Sequence, residues 1–278
     1  MTVLGIDVGG HSIKAGIITK TGKIKEIDGI ILEHNESRKQ VVSDIAKIAK
    51  GLLDKDKSIT SIGIGIPGIV DKKGFITYTP NLPLSNFHLG KALKSKLKKR
   101  MVFGNDADCF AIAKHMFGVG KGYKTIICLT LGTGVGSGLI INGKLFSNNG
   151  APELGHTTIK FDGPEAKCCK NDGCIETYIG RKSFPEGPLT AYEKALAGNE
   201  DALKRFDDYG KYLGIALSNF INIFNPEIII LGGQLSNAYS LFKKTLDIEI
   251  KKRALFKTRI IKNDMRDAGT IGAAILAF

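Results

Sequence analysis

Three groups of residues in this chain carry chemistry in their types and spacing. DVGG at 7–10 and LGTGVGSG at 131–138 are glycine turns between β-rich runs. Such turns leave backbone N–H groups open to wrap phosphate oxygens, and two of them facing one cleft suit a nucleotide polyphosphate. Each taken singly also reads as an ordinary hairpin. Neither is a dinucleotide fingerprint, because both lead into a strand rather than a crossover helix, and no Lys-Ser/Thr pair makes a P-loop. The second group is Asn105 and Asp106 in NDAD, ahead of a helical stretch. A carboxylate there is able to take a proton from a hydroxyl, or else to cap the helix; Asp108 suits the first-turn dipole. The third is KCCKNDGC at 167–174, which reads as a metal site, a redox device or packing. The lack of a Cys-x-x-Cys argues against redox chemistry. Adjacent cysteines in an extended strand point to opposite sides, so both ligate one ion only if the loop bends.

These groups need a scaffold, and its periodicity is visible. VLGIDVGGHSIKAGIIT reads as strand, turn and strand, and KIKEIDGIIL as a third strand. Val41, Ile45, Ile48, Ala49 and Leu52 repeat at helical spacing over 37–55, and 61–66 reads as a strand. A helix over 91–100 and a short strand MVFG follow, then the helix opened by NDAD. The pattern restarts at KTIICLTLGTGVGSGLIINGKLF (124–146), a long helix over 201–224 ends at Asn225-Pro226, and EIIILGG is again strand and glycine pair. This inexact repetition predicts two related α/β domains with a cleft between them, with a last helix over 271–277 crossing back to the first.

DVGG, GIPGIVD, NDAD, LGTGVGSG, PELGH, the cysteine cluster with GCIE, and ILGG stand in the order and spacing of the ROK sugar kinases. Over nearly its whole length the chain resembles that family, part of the actin and hexokinase-like ATPase superfamily. The resemblance implies an α/β fold of two ribonuclease H-like, actin-like ATPase domains, 1–104 with 266–278 and 105–265, enclosing an active-site cleft. It implies transfer of the γ-phosphoryl group of ATP, with Mg²⁺, to the 6-hydroxyl of a hexose. TPNLP (79–83) resembles the glucokinase branch, so glucose is expected first; N-acetylglucosamine, N-acetylmannosamine and fructose are the alternatives. A non-catalytic sugar-binding regulator of the same fold is the rival of another class.

By the same resemblance Asp106 accepts the hydroxyl proton, and Asn105, Glu153, His156 and Glu176, with Asn81 and the Gly68 backbone, hold the sugar. Asp7 acts near Mg²⁺ through coordinated water. Gly9, Gly10 and His11 flank the phosphates, His11 standing where Thr is usual. Gly132, Thr133 and Gly134 hold the distal phosphates, and Gly232 and Gly233 leave room for the adenosine; Lys14 is either nearby or an exposed hairpin lysine. His156 with Cys168, Cys169 and Cys174 is implied as a closed tetrahedral zinc site. Cys168 falls one position late for that pattern, Lys170 replaces a usual Gly, and Pro152 replaces the usual Gly before Glu153. A homodimer or homotetramer is implied.

Composition bounds the rest. The chain has 278 residues, 43% of them hydrophobic, enough for a sizeable core, and an odd five cysteines. Cys109 and Cys128 lie in apolar runs, as small hydrophobes do. A secreted disulfide scaffold is excluded on that reading. The net charge of +13 raises a polyanion partner, yet in KALKSKLKKR (91–100) Ala92, Leu93 and Leu97 fall at helical spacing with no interleaved base-stacking aromatics. A solvated helix is expected there, not a nucleic-acid surface. No apolar window approaches the roughly 18 residues of a membrane span, and MTVLGIDVGG is no signal peptide, so a cytoplasmic protein without a membrane partner is expected. Repressors of the family carry a DNA-binding domain before the first glycine turn, and a first strand starting at Thr2 is expected to leave no room for one.

Overall fold

The computed structural model describes residues 1–33, 36–80, 82–147, 150–167, 169–262 and 265–278. The first half runs β1 (Thr2–Val8), β2 (Ser12–Thr19), β3 (Ile24–Ile31), α1 (Arg38–Lys55), β4 (Ser61–Ile66), β5 (Ile69–Val70), β6 (Phe75–Tyr78), β7 (Phe87–His88), α2 (Leu89–Leu97), β8 (Arg100–Asn105) and α3 (Asp106–Phe117). The second runs β9 (Ile126–Leu131), β10 (Val135–Ile141), β11 (Lys144–Leu145), α4 (Ile175–Ile179), α5 (Pro188–Leu196), α6 (Glu200–Phe224), β12 (Ile228–Gly232), α7 (Tyr239–Arg253), β13 (Arg259–Lys262) and α8 (Ala268–Ala277).

The strand orders show the repetition that the sequence suggested. One sheet is ordered β3-β2-β1-β4-β8 and the other β11-β10-β9-β12-β13. In each, the opening hairpin is antiparallel and the two strands on the far side of its first member are parallel to it. Gly10 and Thr133 therefore sit at equivalent hairpin tips.

Strand alternation divides each sheet between two cores. Leu4, Ile6 and Val8 face α1, whose Val41, Ile45, Ile48, Ala49 and Leu52 are buried against them. Ser37 caps that helix by accepting the Gln40 N–H. On the second sheet Ile127, Leu129 and Leu131 join Leu213, Leu217 and Phe242 of α6 and α7, while Ile126, Cys128, Ile228 and Ile230 face the other way. That other way is a shared layer. α3 and α8 pack against each other there, α3 on β9 and β10, and α8 on β1 and β4. The approach is close enough to require glycine: a Cβ on Gly63 would stand 1.7 Å from Ala273 O, and one on Gly272 1.7 Å from Cys109 O. Cys109 and Cys128 are buried in these cores and unpaired, as apolar packing residues are.

Some boundaries differ from expectation. The basic helix begins at Leu89 and ends at Leu97, because Lys98 turns left-handed (φ 48°) and Arg100 already belongs to β8. Leu93 and Leu97 are buried and the lysines surround them, so its apolar face serves the core. The last helix starts at Ala268, three residues early, and does lie against the first sheet. The three-stranded sheet β5-β6-β7, with strands of two to four residues, is too short for any periodicity to reveal. No helix among the described residues is long and apolar enough to cross a membrane.

Candidate active site

Between the two hairpin tips lies a cleft of about 420 Å³. Its wall takes Gly10 from the first tip, Gly68, Ile69, Tyr78 and Pro80 from the small sheet, Asn105 and Asp106 from the start of α3, and Gly132, Thr133 and Gly134 from the second tip. Glu153, His156, Cys169, Glu176 and Gly233 close it. Sequence distance collapses here because most contributors lie where strands end or helices open.

The head of α3 decides what Asp106 is for. Asn105 is the cap: its Oδ1 accepts the N–H of Ala107 (2.8 Å) and of Asp108 (3.2 Å), and its Nδ2 donates to Gly68 O (2.9 Å). Asn105 thus holds the Gly68 turn and the helix start, and its amide, with a second N–H, lines the cleft. Asp106, relieved of capping, accepts the neighbouring Ala107 N–H (2.9 Å) and lines the cleft. Burial among protein groups pushes its carboxyl up to about 6, the range suited to a base at neutral pH. Asp108, on the next step of the helix, is buried, and that burial raises it to about 7.

Asp7 lies one layer behind, on the face of β1 turned to α8. A Cβ on Gly269 would stand 2.2 Å from its Oδ2, so a bare backbone at the first turn of α8 is what admits the carboxylate. Burial, then repulsion from Asp106, raises Asp7 to about 7, against the attraction of Lys14. Lys14 is paired with Asp7 in the strand register and its Nζ is 3.0 Å from Asp267 Oδ1. A buried carboxylate with a raised pKa is one that a divalent cation would hold in its charged form. The donor set therefore fits Mg²⁺ nearby.

The glycine tips divide their work. The Gly9 amide donates to Ser12 O (2.8 Å) and the Gly132 amide to Gly134 O (3.0 Å), which shapes the turns. Gly10 and Thr133 line the cleft instead, and among the described residues neither amide has a backbone partner. Gly134 makes room for Glu176: a Cβ there would stand 2.3 Å from Glu176 Oε2, which accepts the Val135 N–H at 2.9 Å. Gly232 serves packing, its missing side chain occupied by the Phe110 ring at 2.4 Å, and only Gly233 reaches the cleft. Asp7, Gly9, His11 and Gly232 are not part of the cleft wall; Asn81 and Cys168 lie outside the described residues.

Glu153 and His156 flank a short 3₁₀ turn, Leu154–His156, with His156 Nε2 3.8 Å from Glu153 Oε2. Burial raises the Glu153 carboxyl. On its other side His156 Nδ1 is 3.8 Å from Cys174 Sγ, and the donor atoms of His156, Cys169 and Cys174 all lie within 4.8 Å of one another. One imidazole and two thiols at that spacing are a set that Zn²⁺ prefers. Lys170 adopts φ 60°, the left-handed backbone that the usual Gly would supply, so the loop keeps its bend despite the substitution. Sequence reading overlooked Thr130 and Ser137 in the cleft wall. Both were signalled, as the lone polar side chains of IICLTL in β9 and VGSGLII in β10.

Comparison with known proteins agrees with this geometry. The ROK family profile matches residues 3–278. The chain is 29% identical to a glucokinase of Thermotoga maritima, over 99% of this chain and 96% of that one. It is 31% identical to an N-acetyl-D-glucosamine kinase of Photobacterium profundum, over 98% of each, and 31% identical to a xylose repressor of Bacillus subtilis, over 90% of this chain and 68% of that protein. Among solved structures, a ROK family glucokinase of Streptomyces griseus in complex with glucose and AMPPNP superposes with TM-score 0.87 at 25% identity, covering 100% of this chain and 99% of that one. A duplicated sheet, paired glycine tips over one cleft and a profile match along the full scaffold make this chain a member of the ROK family, within the actin and hexokinase-like ATPase superfamily.

Proposed function

We propose that the chain is an ATP- and Mg²⁺-dependent hexose kinase that phosphorylates glucose at its 6-hydroxyl. The observation that carries this reading is Asp106, freed from capping by Asn105 and held at the cleft with a carboxyl raised toward neutrality. On this reading Glu153, His156 and Glu176 hold the ring hydroxyls, and the Gly10 and Thr133 amides meet the phosphates from opposite walls. Asp106 takes the proton of the 6-hydroxyl as its oxygen bonds to the γ-phosphorus, and the bond from that phosphorus to the β-γ bridging oxygen breaks to release ADP. Mg²⁺, held near Asp7 through water, would neutralise phosphate charge. On this reading the two domains are 1–104 with 266–278 and 105–265, and their closure around the sugar would exclude water that otherwise hydrolyses ATP.

Glucose rests on the glucokinase relatives and on TPNLP; the N-acetyl-D-glucosamine kinase relative supports a hexosamine as second reading. The repressor relative supports a regulator; against it weighs the raised carboxyl of Asp106, set to take a proton, whereas Glu153 and Glu176 would hold a sugar on either reading. The deciding experiment is a coupled ADP-release assay over glucose, mannose, fructose and the N-acetylhexosamines. Turnover fastest on glucose is expected. Turnover fastest on a hexosamine moves the substrate, and none on any sugar overturns the kinase reading.

A further inference from the structure

Ser137 lies in the third position of β10 and is 2% exposed, a hydroxyl placed inside a strand of otherwise apolar and glycine residues. Its Oγ donates to Pro152 O and accepts the Leu154 N–H at 3.0 Å. Those two peptide groups flank Glu153. Proline at 152 has no N–H of its own to anchor the loop, so on this side the single hydroxyl ties down both neighbours of the acid. Two residues earlier on the same strand, the Val135 N–H holds Glu176 Oε2. The strand grows directly out of the Gly132–Gly134 tip, so its first three residues fix both cleft acids relative to that tip.

We infer that Ser137 is a positioning residue for sugar recognition, setting the place of Glu153 through its two flanking peptides. The inference rests on the proposed contact between Glu153 and the sugar. Loss of the hydroxyl frees the 152–154 backbone and leaves two buried polar groups to find other partners, while the glycine tip keeps its own bonds.

The test compares Ser137→Ala, Ser137→Thr, Glu153→Gln and the Ser137→Ala, Glu153→Gln double variant in the full chain. Calorimetric titration would use the best-turned-over sugar and, separately, AMPPNP. Ser137→Ala is expected to weaken the sugar by about fivefold, the size of one net hydrogen bond, with AMPPNP changed by less than about twofold and Ser137→Thr restoring most of the loss. In the Glu153→Gln background the alanine change is expected to add less than about twofold, since coupled residues are not additive. Equal weakening of both ligands with a lowered melting temperature reduces Ser137 to a structural residue and overturns the inference. So does an unchanged sugar affinity in Ser137→Ala when Glu153→Gln weakens it. If Glu153→Gln itself binds sugar normally, the reading of the sugar site fails first and this inference with it.

Discussion

If Asp106 is the base, the rate must follow its ionisation. Its carboxyl stands at about 6, raised by burial, so the competent charged form is nearly complete at pH 8. At pH 5, one unit below that value, only about a tenth of the molecules carry it. At saturating Mg²⁺ kcat/KM for the sugar is therefore expected to climb roughly tenfold between pH 5 and 7.5 and then level off. Saturating metal matters because Asp7 titrates at about 7 in the protein alone, and a neighbouring cation favours its charged form, leaving Asp106 to set the acid limb. Asp106→Asn keeps the shape and removes the base, and should cost about a hundredfold to ten-thousandfold in kcat, with sugar affinity retained. The assay is ADP release at each pH, with titration calorimetry for affinity. A flat profile down to pH 5, or an asparagine variant keeping more than about a tenth of the rate, would refute the assignment.

Asp108 offers a stability readout. It is 3% exposed, its Oδ1 has no hydrogen-bond partner among the described residues, and burial, with added repulsion from Asp106 and Glu153, lifts it to about 7. A folded value above the unfolded one means the ionised carboxylate costs stability most at pH above about 7, and the cost shrinks as pH falls toward the unfolded value near 4. Asp108→Asn is thus expected to raise the melting temperature by about 3–6 °C at pH 8, with a smaller gain at pH 5; no gain at pH 8 contradicts the argument. For the His156, Cys169 and Cys174 cluster, elemental analysis of purified protein should find about one zinc per chain, and Cys174→Ser should lower both zinc content and melting temperature. Protein that is folded and free of zinc would defeat the metal reading.

What sequence could show here was set by length and repetition. The five-residue apolar ladder of α1 is long enough for its helical period to be read, and the β-rich runs on either side of the two glycine turns marked both hairpins, whereas the four-residue β13 went unread. DVGG and LGTGVGSG located both cleft tips, but not which amides face the cleft, because Gly9 and Gly132 spend theirs on turn bonds that only three-dimensional structure reveals. The choice between Asn105 and Asp106 as cap was equally open in NDAD, where either residue type suffices. What Ser137 holds was invisible because its partners, Pro152 and Leu154, lie 15 and 17 residues away and are reached through backbone atoms that carry no side-chain signature. The β5-β6-β7 sheet, which supplies Ile69 and Tyr78 to the cleft, has strands shorter than one reliable period.

The seam of small residues between α8 and the first sheet has a consequence for the order in which the protein is made. Gly63 meets Ala273, and Gly272 meets α3 at Cys109, so the cover of the first sheet is translated after every strand of the second. A nascent chain that already holds β9 to β13 with α6 and α7 still lacks α8, and until then Gly5 and Gly63 of β1 and β4 are without the helix that packs on them. The first sheet is thus begun before the second and receives α8, the ten-residue helix beside Asp7, after it.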